Sequence, residues 1–217
     1  MPVFYLNDEI WFPDPEHAEP DGLVAVGGRL TRERLMQAYS KGIFPWYSQE
    51  PVLWFNPDPR MVLFPGNFKV SKSLKKTIRK NIFQVTWNMC FEDVIYSCAR
   101  THQHKGTWIT PDIINAYIDL HNIGMAKSVE CWYEGELVGG LYGVIVGGVF
   151  CGESMFHKVK DASKVALVHL MRRLEECGYI LLDAQVYTKH LASFGAGFIS
   201  RDEYLKILQM PISVKEL

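Results

Sequence analysis

Two spacings of hydrophobic residues alternate along the chain, one of three to four positions and one of two, and their succession sets the predicted elements. Behind Thr31, residues Leu35, Met36 and Tyr39 form one apolar stripe over Arg32 to Lys41, and Gly42 closes that helix. Leu74 and Ile78 mark a shorter helix over Ser71 to Lys80, Phe83 to Trp87 alternates as a strand, and Phe91 to Arg100 reads as a helix. Thr110 supplies the next N-cap, with Pro111 at the first helical position and Gly124 beyond Asn122. Three strands follow: Ser128 to Tyr133, Leu137 to Val146 after the turn Glu134-Gly135-Glu136, and Val149 to Phe156 after the two-residue loop Gly147-Gly148. Val165, Val168, Met171 and Leu174 share one face of a helix that starts at Asp161-Ala162-Ser163 and stops before Gly178. A strand over Tyr179 to Gln185 comes directly after it. The capping box Ser200-Arg201-Asp202-Glu203 opens a last helix to about Gln209.

A three-strand meander, a helix and a further strand make an α/β pattern (an α+β mixed sheet), the succession of the GNAT-type acyltransferases. The start of the chain is different. Asp14-Pro15, Pro20-Asp21-Gly22, Gly27-Gly28 and Pro57-Asp58-Pro59 punctuate it as turns, and aromatic residues crowd Phe44-Pro45-Trp46-Tyr47 and Leu53-Trp54-Phe55. The expected organisation is a small N-terminal domain over residues 1–65, packed on a GNAT-like acyltransferase domain over residues 66–217, with the boundary at Phe64-Pro65-Gly66.

Composition narrows the class. With 217 residues, about half of them apolar, the chain can bury a sizeable core. A formal net charge of -1 provides no overall basic field, so a polyanionic partner has to be held by a local patch. One such patch exists: Lys72, Lys75, Lys76, Arg79 and Lys80 put five positive charges into nine residues with no interleaved acid. The five cysteines form no CxxC pair and read as reduced thiols filling core space. The N-terminus has no basic, apolar leader pattern, and no apolar run approaches a membrane span, so a cytoplasmic protein is expected, without membrane association. His102 and His104 have no third ligand placed to complete a metal site, and an exposed loop is expected there.

Candidate chemistry lies at two strand ends. Val149-Phe150-Cys151-Gly152-Glu153 is an apolar strand that stops at a carboxylate, and Leu181-Leu182-Asp183-Ala184-Gln185 repeats the pattern. An unpaired buried carboxylate is costly or becomes neutral, so Glu153 belongs either at a surface strand end or in a cleft. Asp183 and Gln185, two apart, share one strand face. Gly139, Gly140 and Gly143 inside the neighbouring strand signal a bulge or the close approach of another backbone. Ser154 lies in no GxSxG elbow, and neither a phosphate loop nor a dinucleotide fingerprint is present. Where an acetyltransferase carries its glycine-rich CoA loop, this chain reads His157-Lys158-Val159-Lys160-Asp161-Ala162. The acyl donor is therefore expected to be something other than acyl-CoA, and no cofactor or metal is expected.

Taken in order, Gly27-Gly28, Gly42-Ile43-Phe44-Pro45-Trp46, Trp54, Pro57-Asp58-Pro59-Arg60, Gly106-Thr107-Trp108-Ile109-Thr110, Phe150 to Phe156 and Asp183-Ala184-Gln185 resemble the leucyl/phenylalanyl-tRNA–protein transferases. The resemblance runs from about Gly22 to about Arg201. It implies transfer of Leu, Phe or Met from aminoacyl-tRNA to the α-amine of proteins beginning with Lys or Arg, marking them for N-end-rule degradation; separately, a monomer is expected. By the same resemblance, Asp183 and Gln185 hold and help deprotonate the attacking amine, and Glu153 binds a cationic amine of donor or acceptor. Leu141, Phe150 and Met155, with Ser154 beside them, receive the donor side chain, while Leu170 and Leu182 are expected to be core. Tyr39, Trp46 and Trp108 stack on the terminal adenosine, and Lys72, Lys75, Lys76, Arg79 and Lys80 hold the tRNA backbone. One departure stands out: Thr188-Lys189 precedes His190 where the family commonly has Asn-Asp. Two rivals stay open, another acyl- or aminoacyltransferase of this fold and a non-enzymatic RNA-binding protein.

Overall fold

The computed structural model describes residues 3–102 and 107–217. His104 of the histidine pair and Gly106 lie outside the described residues. The chain starts with β1 (Phe4–Leu6) and β2 (Leu23–Gly27), followed by α1 (Arg32–Ser40), β3 (Phe44–Pro45) and β4 (Leu53–Phe55). These strands make a four-stranded sheet in the order β1-β2-β4-β3. Thr31 caps α1 as expected, its side chain accepting from Arg34 N, and the helix buries Leu35, Ala38 and Tyr39.

β5 (Arg60–Leu63) comes next, then α2 (Lys72–Arg79), β6 (Gln84–Trp87), α3 (Phe91–His102) and α4 (Pro111–Asn122). The meander is β7 (Ala126–Tyr133), β8 (Glu136–Val146) and β9 (Val149–His157). α5 (Ala162–Cys177), β10 (Leu181–Gln185), α6 (Lys189–Ala192), β11 (Gly197–Ile199) and α7 (Arg201–Leu208) complete the chain. The larger sheet has seven strands in the order β11-β5-β10-β9-β8-β7-β6. α2 and α5 pack on one face around Leu74, Val165, Leu167 and Leu174. α3, α4 and the small sheet cover the other around Val94, Ile95, Ile113 and Trp54. The meander, the helix and a β10 strand parallel to β9 give the mixed GNAT-like arrangement.

Two details depart from the sequence pattern. Residues 60–63, assigned to the small domain, pair with β10 and β11 in the larger sheet, so the change of sheet falls between Phe55 and Arg60. A strand whose four residues are all buried needs cover on both faces, and only the larger sheet supplies it. Glu153 also does not end its strand. β9 pairs with β8 as far as His157↔Gly139 but with β10 only as far as Cys151↔Asp183. Glu153 therefore sits where β9 and β10 have parted, in a mid-strand opening. The glycines of β8 serve close approach: a Cβ on Gly139 would lie 2.6 Å from the Cβ of Ala162, at the start of α5.

Candidate active site

The site is built at the irregular end of β10. The pairing register with β5 shifts between Asp183 and Gln185, and Gln185 adopts a left-handed backbone with φ of 61°. A non-glycine residue is held in that conformation only by its surroundings. Here the backbone N–H of Gln185 donates to Asp183 Oδ1 at 2.8 Å. Asp183 is fully buried and is fixed in turn by Arg60, whose Nε and Nη2 donate to Oδ1 and Oδ2 at 2.9 and 2.7 Å. Tyr204 donates to Oδ2 at 2.8 Å. The guanidinium lies 4.8 Å from the ring of Phe44 and 4.5 Å from that of Tyr204, and its Nη1 donates to the Gly42 carbonyl at 3.0 Å. A buried charge pair with every lone pair addressed in this way is a rigid anchor. The Asp183 charge is thus compensated by Arg60.

Glu153 anchors the other side. Its Oε1 accepts from Tyr39 Oη at 2.7 Å and from Gln185 Nε2 at 2.9 Å, and its Oε2 accepts from Tyr117 Oη at 3.3 Å. The hydroxyls of Tyr39 and Tyr117 also hydrogen-bond each other. In its ionised form this carboxyl can only accept, and it then turns the Gln185 NH2 toward itself. Gln185 Oε1 is then left without a partner among the described residues.

Burial pushes the Glu153 carboxyl from 4.5 up to about 7. The Tyr39 hydrogen bond works against the shift and the nearby Asp183 charge adds to it. Burial, and then the Glu153 charge, push both phenols well above their usual range, so they remain donors. The consequence for stability has a definite sign. Between pH 4.5 and about 7 the folded protein keeps a proton on Glu153 that the unfolded chain has already released. Folding stability therefore falls as pH rises through that window, by about 3 kcal/mol from this group. Urea unfolding of Glu153→Gln and of the wild type should show the difference moving in the variant's favour by that amount between pH 4.5 and 8. A difference independent of pH would refute the assignment.

Glu153 and Gln185 line a cavity of about 820 Å³. Leu141, Phe150, Met155, Leu167, Leu170 and Leu182 form its apolar wall, with Ser154, Trp46 and Trp108 also on the lining. Leu170 and Leu182, expected as core, are both buried and wall the cavity. Tyr39 is corrected. It is 1% exposed beneath Glu153, and a ring so enclosed offers no face for a base to stack on. Trp46, at 45% exposed, does offer one. Lys72, Lys75, Lys76, Arg79 and Lys80 are all exposed on and beside α2, outside this cavity. Arg60, Tyr117 and Tyr204 belong to the site and carried no individual assignment. For Arg60 a signal existed, since a cation leading the buried run Met61-Val62-Leu63 requires a buried anion. Tyr117 and Tyr204 look like ordinary apolar positions on helices. Thr188 caps α6, its Oγ1 accepting from Leu191 N at 3.2 Å. Among the described residues no group of three or more His, Cys, Asp or Glu is placed to hold a metal, and no helix is long and apolar enough to cross a membrane.

The site is thus a mixed sheet whose parallel strands part over an apolar cavity, with a side-chain amide at the opening. The chain belongs to the leucyl/phenylalanyl-tRNA protein transferase family, whose model matches residues 62–209, with the family's N-terminal domain matching residues 28–58. Similar relatives are the leucyl/phenylalanyl-tRNA–protein transferases of Syntrophobacter fumaroxidans, 55% identical over 96% of this chain and 90% of that one, and of Syntrophotalea carbinolica, 52% identical over 96% and 92%. Among solved structures, L-PGS from Bacillus licheniformis aligns over 78% of this chain and 57% of its own, at 14% identity and a TM-score of 0.40.

Proposed function

We propose that the protein transfers Leu, Phe or Met from aminoacyl-tRNA to the N-terminal α-amine of proteins beginning with Lys or Arg, acting as a monomer in the cytoplasm. The observation that carries this reading is the Gln185 amide, fixed by Glu153 with its carbonyl oxygen free beside an apolar cavity. The donor is an activated ester, so what the reaction needs is a neutral amine held against a carbonyl carbon. An α-amine titrates at about 7.7–8.0, which leaves a useful fraction neutral near pH 7. Gln185 Oε1 accepts a hydrogen bond from that amine and aims its lone pair at the ester carbon. The C–N bond forms, the bond from the carbonyl carbon to the ribose oxygen breaks, and the amine's surplus proton leaves with that oxygen. Positioning of this kind lowers the barrier without a strong base.

The other residues divide the remaining tasks. Asp183, neutralised by Arg60, is a positioning residue that holds the left-handed turn at Gln185. Glu153 already receives three donors, so its task is to orient the Gln185 amide. Leu141, Phe150 and Met155 receive the donor side chain, Ser154 borders it, and Trp46 and Trp108 take the terminal adenosine. The exposed cations of α2 track the tRNA backbone, which makes donor affinity salt-dependent. The test is transfer of [14C]Phe from Phe-tRNA. A protein beginning with Arg should become labelled, and the same protein acetylated at its N-terminus should not. Equal labelling of both, or of neither, overturns the proposal.

A further inference from the structure

The cavity has a second end that the chemistry above does not use. Beyond Glu153, β9 runs out through His157, and Lys158, Lys160 and Lys164 line the cavity there at the start of α5. Lys158 and Lys160 are exposed, and neither ammonium group has a hydrogen bond or ion pair among the described residues. The carboxylate lining this end is Asp161, and it is already engaged. Its Oδ1 accepts from Lys164 Nζ at 2.9 Å, and its Oδ2 accepts from Thr77 at 3.3 Å. Three ammonium groups therefore face one carboxylate, which leaves a net positive end on a cavity whose middle is apolar. His190 is on the same lining. Burial, and then the charges of Lys164 and His157, lower its pKa, and its Nε2 is buried without a partner among the described residues.

Position gives this end its meaning. Thr77 belongs to α2, so the Thr77–Asp161 hydrogen bond joins the exposed basic helix to the cationic end of the cavity. The backbone of α5 meets the sheet directly here because β8 has Gly139 opposite Ala162. A polyanion lying along α2 thus has a cationic route into the cavity that holds Gln185. Resting on the proposed transfer reaction, we infer that Lys158, Lys160 and Lys164 form a phosphate subsite, which takes the phosphodiester on the 5′ side of the donor's terminal adenosine as the single-stranded end passes from α2 into the cavity. Ammonium groups suit this task. They carry only donors, they hold phosphate through charge-assisted hydrogen bonds, and they read no base.

A pair of small inhibitors isolates the subsite: 3′-phenylalanylamido-adenosine, in which an amide replaces the labile ester, and the same compound bearing a 5′-phosphate. Both compete with Phe-tRNA in the labelling assay. The phosphorylated compound should inhibit about tenfold more tightly at low salt, the preference shrinking as salt rises. In Lys158→Ala/Lys160→Ala the ratio of the two inhibition constants should fall to near one, and in Lys158→Arg/Lys160→Arg it should persist. Equal inhibition by the two compounds, no inhibition by the phosphorylated one, or a ratio unchanged in the alanine variant overturns the subsite. Absence of any transfer from Phe-tRNA is a different result and overturns the transferase reading itself.

Discussion

Arg60→Met is expected to destabilise the protein by about 3–5 kcal/mol, because it leaves a buried carboxylate without its cation. Arg60 is 1% exposed and Asp183 fully buried, so water cannot take over the lost interaction. Asp183 would keep only the donors from Tyr204 and the Gln185 backbone. The methionine also loses the hydrogen bond to Gly42 and the packing of a flat cation between Phe44 and Tyr204. At about 2–4 °C per kcal/mol for a chain of this size, thermal unfolding should come roughly 10 °C earlier. The second variant separates charge from packing. Arg60→Met/Asp183→Asn removes both charges, keeps an oxygen for the Gln185 N–H, and should recover at least half of the loss. A single variant within about 1 kcal/mol of the wild type would mean that the pair contributes no more than an ordinary surface contact.

That pair shows where the sequence stops being legible. The helices announced themselves through caps: Thr31, Ser71, Thr110 and Ser200 each accept from the backbone N–H three residues on. The meander was readable because period-two alternation and the glycine turns agree. Glu153, Asp183 and Gln185 stood out because polar residues in apolar strands need a reason. What periodicity cannot supply is the partner across the fold. Arg60 and Asp183 are 123 residues apart, and Tyr39 and Glu153 are 114 apart. Tyr39 and Tyr117 sit on helical apolar stripes with the spacing of core residues, and their rings are indeed core; only the hydroxyls reach Glu153. The place of Glu153, open in the sequence between a strand end and a cleft, is decided for a related reason. A carboxylate in mid-strand is tolerated because β10 turns away at its bulge, and that bulge is a property of the neighbouring strand.

Gln185→Ala is expected to lower kcat for transfer about a hundredfold and to leave KM for aminoacyl-tRNA within about a factor of two. The split follows from what the amide touches. Its Nε2 is spent on Glu153, and only Oε1 is free to meet the incoming amine. In the proposed complex the donor's adenosine and phosphates are held elsewhere, by Trp46, Trp108 and the cations of α2 and the α5 start, so removing the amide should leave donor binding in place. The pH profile tells orientation from base catalysis. A neutral amide takes up no proton near pH 7, so in the wild type and in Gln185→Ala alike the rate should follow the neutral fraction of the acceptor amine, levelling off above about pH 8, on top of the Glu153 titration near 7 that both proteins share. Gln185→Glu is the opposite case. It would set a second carboxyl against Glu153, one of the two would hold a proton, and the profile should gain a new inflection. If Gln185→Ala keeps full kcat, the amide does not hold the amine. If KM for aminoacyl-tRNA rises in proportion to the lost rate, the residue binds the donor, and the attacking amine has to be oriented from another part of the cavity.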